Sequence, residues 1–186
     1  MKLPRPGDDH VTFPPPALTV FYRGWADLQA RLIDIIGPLT PEQMRLRPAP
    51  DQWAVWQLAA NMAGGRAYWF HEVLGEGDPA VRDMFRVAAT TVPGIPLEDA
   101  GWEDDEGHPR TAAEMVGAFQ ATWRMVDECL QRWTEDDLQA EFPRPRGHGP
   151  PSKRAWVIWH LIEHELQHGT EIALILRSHG LRTLEL

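Results

Sequence analysis

Three histidines close to the C-terminal end of the chain have the residue type and spacing that could do chemistry. His160, His164 and His168 recur every four residues, so in a helix they share one face. Two imidazoles at this spacing can bind one metal ion with bonds near 2.1 Å. Because His160 and His168 would lie about 12 Å apart along the axis, one ion could use His160 with His164, or His164 with His168, but not all three.

The stripe that carries these histidines is apolar. Its members at i, i+3 and i+4 spacing are Val157, Leu161, His164, His168, Ile172 and Ile175. Two of the imidazoles should therefore project into a helical core, where each ring nitrogen needs a partner. A pair of hydrogen-bonded core histidines, with His160 at the surface, is the alternative to a metal site, and the residues leave both interpretations open.

Four segments have the helical periodicity needed to position these side chains. They lie near residues 17–37, 52–74, 111–133 and 152–179. The third begins with a capping box, Thr111 to Glu114, and the fourth ends at Gly180. Since no segment shows strand alternation, the sequence predicts an all-α fold, a four-helix bundle.

The irregular segments carry predictions of their own. Residues 1–16 contain five prolines and should form an extended N-terminal arm in front of a domain spanning 17–186. Residues 75–110 are rich in Gly and Pro, which predicts a long irregular connection between helices 2 and 3, of the kind that forms lids or binding loops. Within it, Glu103–Glu106 is expected to be a solvated acidic turn. Gly64–Gly65 predicts a close helix crossing or a local kink.

Charge and composition exclude several function classes. Lys and Arg number 18 against 27 Asp and Glu, a net charge of −9, so nucleic acid and anionic membranes are not expected partners. No apolar run is long enough for a membrane span, and the N-terminus lacks the apolar region of a signal peptide. The single cysteine, Cys129, is predicted to pack in the core. These features predict a soluble, cytoplasmic protein, and the nine tryptophans suggest a homodimer.

Three blocks of the sequence resemble a known family. They are WAVWQLAAN at 53–61, HELQHGTEI at 164–172 and LRSHG at 176–180, and together they resemble the DinB-like (damage-inducible) superfamily of four-helix bundles. The resemblance implies that three histidines bind one divalent metal, often zinc or nickel, with His164 and His168 as two of them. Asn61 stands at the third position, and its neutral carbonyl oxygen is a poorer ligand than imidazole for these metals.

The resemblance also suggests which residues would surround the site. Asn61 would be either a weakened ligand or a core asparagine hydrogen-bonded to a histidine. The residues expected around it, as hydrogen-bonding partners or as walls of a substrate pocket, are Gln57, Tyr68, Trp56, Trp159, His160 and Glu171. Among these, Glu171 lies one helical turn beyond His168 and is either a carboxylate that orients it or an ordinary exposed acid.

Two functions from different classes follow. The first is a metal-dependent enzyme, a transferase or isomerase that uses a low-molecular-weight thiol such as mycothiol or bacillithiol and acts on a small molecule, because relatives of this fold include such enzymes. The second is a non-catalytic small-molecule-binding or stress-response protein with a degraded metal site, which the asparagine at position 61 favours.

Overall fold

The structure, a computed structural model of the chain, describes residues 16–87, 100–145 and 150–184. In chain order its helices are α1 (Pro16–Ile36), α2 (Pro41–Met44), α3 (Val55–Ala67), α4 (Pro79–Asp83), α5 (Ala112–Arg132), α6 (Glu135–Gln139) and α7 (Arg154–Ser178). A π-helical segment, Tyr68–Val73, continues α3, and a 3-10 turn spans Trp102–Asp104. Strands β1 (Glu141–Phe142) and β2 (Ser152–Lys153) form a short antiparallel pair.

The prediction of a mainly α-helical chain is confirmed. Helices α1, α5 and α7 begin and end within two residues of the predicted bounds, and α3 with its π-helical continuation covers the second predicted helix. The short β1–β2 pair was not predicted, since two residues show no alternation. The predicted N-terminal arm lies outside the described residues, apart from Pro16, which begins α1. None of the described helices has the length and apolarity that a membrane span needs.

Local side-chain chemistry sets the helix ends. The Thr111 hydroxyl accepts a hydrogen bond from the Glu114 backbone amide, and the Glu114 carboxylate accepts one from the Thr111 amide at 2.8 Å. This capping box supplies partners for amides that have none within α5. At the other end of the chain, Gly180 adopts a positive φ of 67° just after α7, a conformation that favours glycine.

Helix α3 occupies the centre of the molecule and packs against both α5 and α7, while α1 packs against α5. Its buried positions include several small side chains, Ala59, Ala60, Ala63 and Ala67. Small residues let neighbouring helix backbones approach closely, so α3 can be enclosed on nearly all sides. This central position explains why α3 lacks the polar face that a surface helix shows.

A buried ion pair crosses the core between α3 and α7. The Arg66 guanidinium donates two hydrogen bonds to the Glu165 carboxylate, each 2.7 Å long, and both side chains are fully buried. From α1, the Trp25 indole donates to Glu165 at 2.9 Å, and Gln29 accepts from Arg66 at 2.6 Å. The network therefore joins three helices, and its hydrogen bonds leave neither buried charge without a partner.

The expectation of a solvated acidic turn at Glu103–Glu106 is wrong for two of its members. Asp105 is buried and accepts a hydrogen bond from Arg110 at 3.2 Å, while Glu103 is turned towards α3. Gln57 of α3 donates to the Glu103 backbone carbonyl at 2.9 Å and so fixes the turn. Asp104 is half-buried and accepts a hydrogen bond from the Gly101 amide at 2.9 Å, and Glu106, with 70% of its side chain exposed, behaves as predicted. Charge content alone could not show that part of this turn packs against a helix.

Candidate functional site

Helices α3 and α7 and the 3-10 turn enclose a cavity of about 240 Å³, termed the polar cavity below. Its polar side chains are Asn61, Tyr68, Arg82, Glu103, His160 and His164. Trp69, Phe85 and Leu161 form much of the apolar wall. The cavity therefore brings together an amide, a carboxylate and two imidazoles, a donor and acceptor set able to bind a small polar molecule.

Two adjacent glycines let α7 and the residues after α4 approach α3 at this point. A Cβ atom on Gly65 would lie 3.6 Å from Cε1 of His164, and a Cβ atom on Gly64 would lie 3.5 Å from Phe85. Both distances are ordinary contacts, so a side chain larger than alanine would enter the cavity wall. The close helix crossing that the glycine pair predicts is therefore present, with His164 as the contacting residue.

Asn61 and Glu103 form a hydrogen-bonded pair in the polar cavity. The Asn61 side-chain amide donates to Glu103 Oε1 at 2.8 Å. The second carboxylate oxygen, Oε2, is buried without a partner among the described residues and lies where a Cβ atom on Gly101 would overlap it. Burial raises the pKa of Glu103, and the hydrogen bond from Asn61 opposes part of this rise.

His164 carries the second unpartnered polar atom of this site. Its Nδ1 is buried and makes no hydrogen bond to the described residues. Burial is the main reason why the pKa of His164 falls to about 4, and repulsion by the neighbouring His168 and His160 lowers it further. His164 is therefore neutral at pH 7, the form in which imidazole can accept a hydrogen bond or bind a metal.

His160 lies in the same cavity, held between two aromatic rings. Its ring stacks on Trp156 with a centroid distance of 4.7 Å and meets Trp69 edge-on at 5.3 Å. Burial lowers the pKa of His160 as well. The sequence predicted a surface position for this residue as one alternative, whereas the structure brings it to the cavity wall with His164 and Asn61.

His168 lies in a different cavity from Asn61. Its Nδ1 is 2.8 Å from the Glu171 carboxylate, which is the first of the two roles that the sequence left open for Glu171. The ring is perpendicular to that of His164, with a centroid distance of 4.5 Å. Of the two histidine pairs that the spacing left open, His160 and His164 line the polar cavity with Asn61, whereas His164 and His168 have the closer rings, with centroids 4.5 Å apart against 6.1 Å for His160 and His164.

The other residues predicted for the pocket do not all lie at the polar cavity. Tyr68 lines it. Gln57 holds the turn that carries Glu103, because it accepts a hydrogen bond from the Ala54 amide and donates one to the Glu103 carbonyl. Trp56 is buried in the core, and Trp159 is 57% exposed, so neither lines the cavity. Cys129 is buried on α5, and burial raises its pKa to about 11, in keeping with the packing role predicted for it.

Sequence reasoning missed two residues of this site, Glu103 and Arg82. Arg82 lines the cavity and donates from Nε to Glu72 at 3.0 Å. Both residues come from the Gly- and Pro-rich connection, where no periodicity indicates which side chains face inward. The available signal was Gly101 followed by Trp102, a small residue next to a large apolar one, which is compatible with a turn that packs on the core.

The donor set does not fit the three-imidazole metal site that the family resemblance implies. Within the described parts of the chain, no group of three His, Cys, Asp or Glu side chains converges closely enough to hold an ion. At the third position Asn61 directs its amide nitrogen, which has no lone pair for a metal, to Glu103. The two imidazoles that line the polar cavity with Asn61 are those of His160 and His164, one fewer than a catalytic zinc site of this kind uses.

Comparison with known proteins identifies the family. The model of the DinB superfamily matches residues 21–172. The chain belongs to the DinB superfamily. Two solved structures share its fold, each with a TM-score of 0.62: a DinB-like protein from Bacillus cereus and a conserved protein from Enterococcus faecalis.

Both likenesses span almost the whole of each protein. The Bacillus cereus protein is 17% identical, over 89% of this chain and 95% of its own; the Enterococcus faecalis protein is 14% identical, over 86% and 97%. At such identities the likeness shows a shared fold alone. No curated protein matches the sequence.

Proposed function

We propose that this DinB-superfamily protein binds a small polar molecule in the polar cavity, and that it does so without the family's three-imidazole metal site. The observation that carries this proposal is the hydrogen bond between Asn61 and Glu103, in the cavity that His160 and His164 also line. An imidazole at position 61 would leave a ring nitrogen for a metal, whereas the asparagine amide is directed at a carboxylate.

The unpartnered polar atoms of the cavity support the same proposal. His164 Nδ1 and Glu103 Oε2 each lack a hydrogen-bond partner among the described residues. Leaving a buried polar atom without a partner costs about 1–3 kcal/mol. A ligand that reached either atom after a shift of its side chain would recover part of that free energy, which favours binding of a molecule with hydrogen-bonding groups over an apolar one.

Metal-dependent transfer to or from a low-molecular-weight thiol is the second candidate. The observation that favours it is the presence of two imidazoles, His160 and His164, four residues apart on one wall of the cavity. Because the donor set falls short of three, we derive no reaction step through a metal. A screen for transfer with mycothiol or bacillithiol, in the presence of zinc or nickel, tests this candidate directly.

The experiment that tests the first proposal is a thermal-shift screen of metal-free protein against small polar molecules. We expect hits whose affinity falls at least about tenfold in Glu103→Gln, because this change removes the carboxylate that lines the polar cavity. Glu106→Gln is the matched control, an exposed acid three residues further along the same turn. If every hit survives Glu103→Gln with unchanged affinity, the ligand does not occupy the polar cavity and the proposal fails.

A further inference from the structure

Helix α7 carries large apolar side chains on two opposite faces. Those of the inner face are buried in the core, among them Val157, Leu161, Ile172 and Ile175. On the opposite side, five exposed residues at i, i+3 and i+4 spacing share one face, which we call the outer stripe: Glu163, Leu166, Thr170, Leu174 and Arg177. Leu166 is 42% exposed and Leu174 is 59% exposed. Large apolar side chains aligned on one exposed face are typical of interaction surfaces.

The outer stripe is symmetric about Thr170. Leu166 and Leu174 lie four residues before and four residues after it, and Glu163 and Arg177 lie seven residues before and seven after. Read in the opposite direction, the stripe has the same spacing, with leucine again at the leucine positions and the two charges exchanged. A contact between two identical chains related by a twofold axis requires such a self-complementary surface, because each residue meets the counterpart of its own partner.

The polar members of the outer stripe are compatible with burial between two helices. Glu163 and Arg177 are about 21 Å apart along α7, too far to pair within one chain. Neither forms an ion pair with another residue in the described parts of the chain. The Thr170 hydroxyl donates to the Leu166 backbone carbonyl at 2.7 Å, so the centre of the stripe brings no unpaired donor into a contact. Threonine is also small enough to let two helices approach closely.

We propose that the outer stripe binds a second copy of this chain, with the two α7 helices antiparallel and the twofold axis at Thr170. Leu166 of each copy then contacts Leu174 of the other, and Glu163 of each copy pairs with Arg177 of the other. The two charge pairs at the edges fix the register. A displacement of one helical turn in either direction would place both charges opposite uncharged positions. Charge complementarity therefore selects this pairing among the antiparallel ones.

Two charge-reversal variants test the register in sedimentation equilibrium. Glu163→Arg and Arg177→Glu each place like charges opposite one another at both edges, so the dissociation constant of each homodimer should rise at least about tenfold. Mixed in equal amounts, the two variants should form a heterodimer with an affinity near that of the wild type, because every reversed charge then faces an opposite one. Glu128→Arg is the matched control, the same change at an exposed position of α5, and should dimerise like the wild type.

A cysteine on the twofold axis tests the position of the axis independently. The one natural cysteine, Cys129, is buried, so a disulfide between copies should form only through an introduced thiol. Under mild oxidation Thr170→Cys should give a covalent dimer, whereas Gln120→Cys, at an exposed position of α5, should not. A wild type that keeps a mass of 21.1 kDa at micromolar concentration would overturn the proposal. A mixture of the two charge variants that stays monomeric would also overturn it.

Discussion

At the scale of single residues, the structure groups Asn61 in one cavity with two of the three histidines that the spacing alone treats as equivalent. Three histidines at equal intervals give two equivalent pairs, and which pair faces Asn61 depends on the rotation of α7 against α3. That rotation is a tertiary property that no local pattern of α7 encodes. The identity of the residue at position 61, in contrast, was readable from the sequence, and the structure adds its hydrogen bond to Glu103.

Restoring an imidazole at position 61 should create a metal site. In Asn61→His the new ring joins His160 and His164 in the polar cavity, so affinity for zinc or nickel should rise at least about tenfold. Adding His164→Ala should abolish this gain, whereas adding His168→Ala should leave it, because His168 lines the other cavity. Isothermal titration calorimetry measures the metal affinity of each variant. If Asn61→His combined with His168→Ala lost the gain in affinity, His168 and not His160 would be the second histidine of the site.

The pKa of His164 predicts how stability depends on pH. Its pKa is about 4 in the folded chain and 6.5 ordinarily, so between these values the unfolded chain binds a proton that the folded chain does not. The free energy of unfolding should therefore fall as pH falls from 6.5 towards 4. Because His164 keeps some contact with solvent, we expect a loss of about 1–2 kcal/mol at pH 4.5, less than the full shift implies.

Urea unfolding at several pH values tests this dependence. In His164→Gln the part of the pH dependence that this ring causes should disappear. The free energy of unfolding of the variant should therefore rise relative to that of the wild type as the solution is acidified. His179→Gln, at the end of α7 and outside both cavities, is the control and should follow the wild type. A difference between His164→Gln and the wild type that stays constant from pH 7 to 4.5 would contradict the assignment.

At the scale of elements, helix positions could be predicted because each long helix has a local cause. A capping box begins α5 and a glycine with positive φ follows α7, and both signals are visible within a few residues. The turn at Glu103 has a local cap too, since the Gly101 amide donates to Asp104 Oδ2 at 2.9 Å, but nothing local shows which of its side chains face α3. Its position depends on contacts with Gln57 and Asn61, which lie more than forty residues away in the chain.

Two glycines with different environments should respond oppositely to alanine. Gly117 is exposed within α5 and no atom lies within 4 Å of its Cβ position, so Gly117→Ala should stabilise the protein by about 0.5–1 kcal/mol. Gly77 has a φ of 76°, and a Cβ atom there would overlap Met125. Gly77→Ala should therefore destabilise the protein by more than about 1 kcal/mol. Thermal melts of both variants show whether each substitution raises or lowers stability. A rise in stability for Gly77→Ala would contradict the requirement for glycine at this turn.

At the scale of the whole molecule, the buried network of Arg66 and Glu165 should dominate the stability of the helix packing. Glu165→Ala leaves the guanidinium buried without its partner and should cost about 3–5 kcal/mol. Asp83→Ala removes an exposed ion pair with Arg86 and should change the free energy of unfolding by less than about 1 kcal/mol. Equal effects in chemical denaturation would mean that the network does not hold the helices together.

The homodimer stays a prediction at this scale. The outer face of α7 exposes Trp159, Leu166 and Leu174, which would be available to a second copy. Light scattering at micromolar concentration distinguishes the two states, because the monomer has a mass of 21.1 kDa. A mass near that value would contradict the dimer without affecting either cavity.

The metal content of the purified protein tests the central claim most directly. The claim is that Asn61, bonded to Glu103, leaves the polar cavity one ligand short of a metal site. After equilibration with zinc and with nickel and removal of free ions, elemental mass spectrometry should find less than about 0.1 equivalent of either metal in the wild type and about one equivalent in Asn61→His. About one equivalent in the wild type, removed by His164→Ala, would contradict the claim.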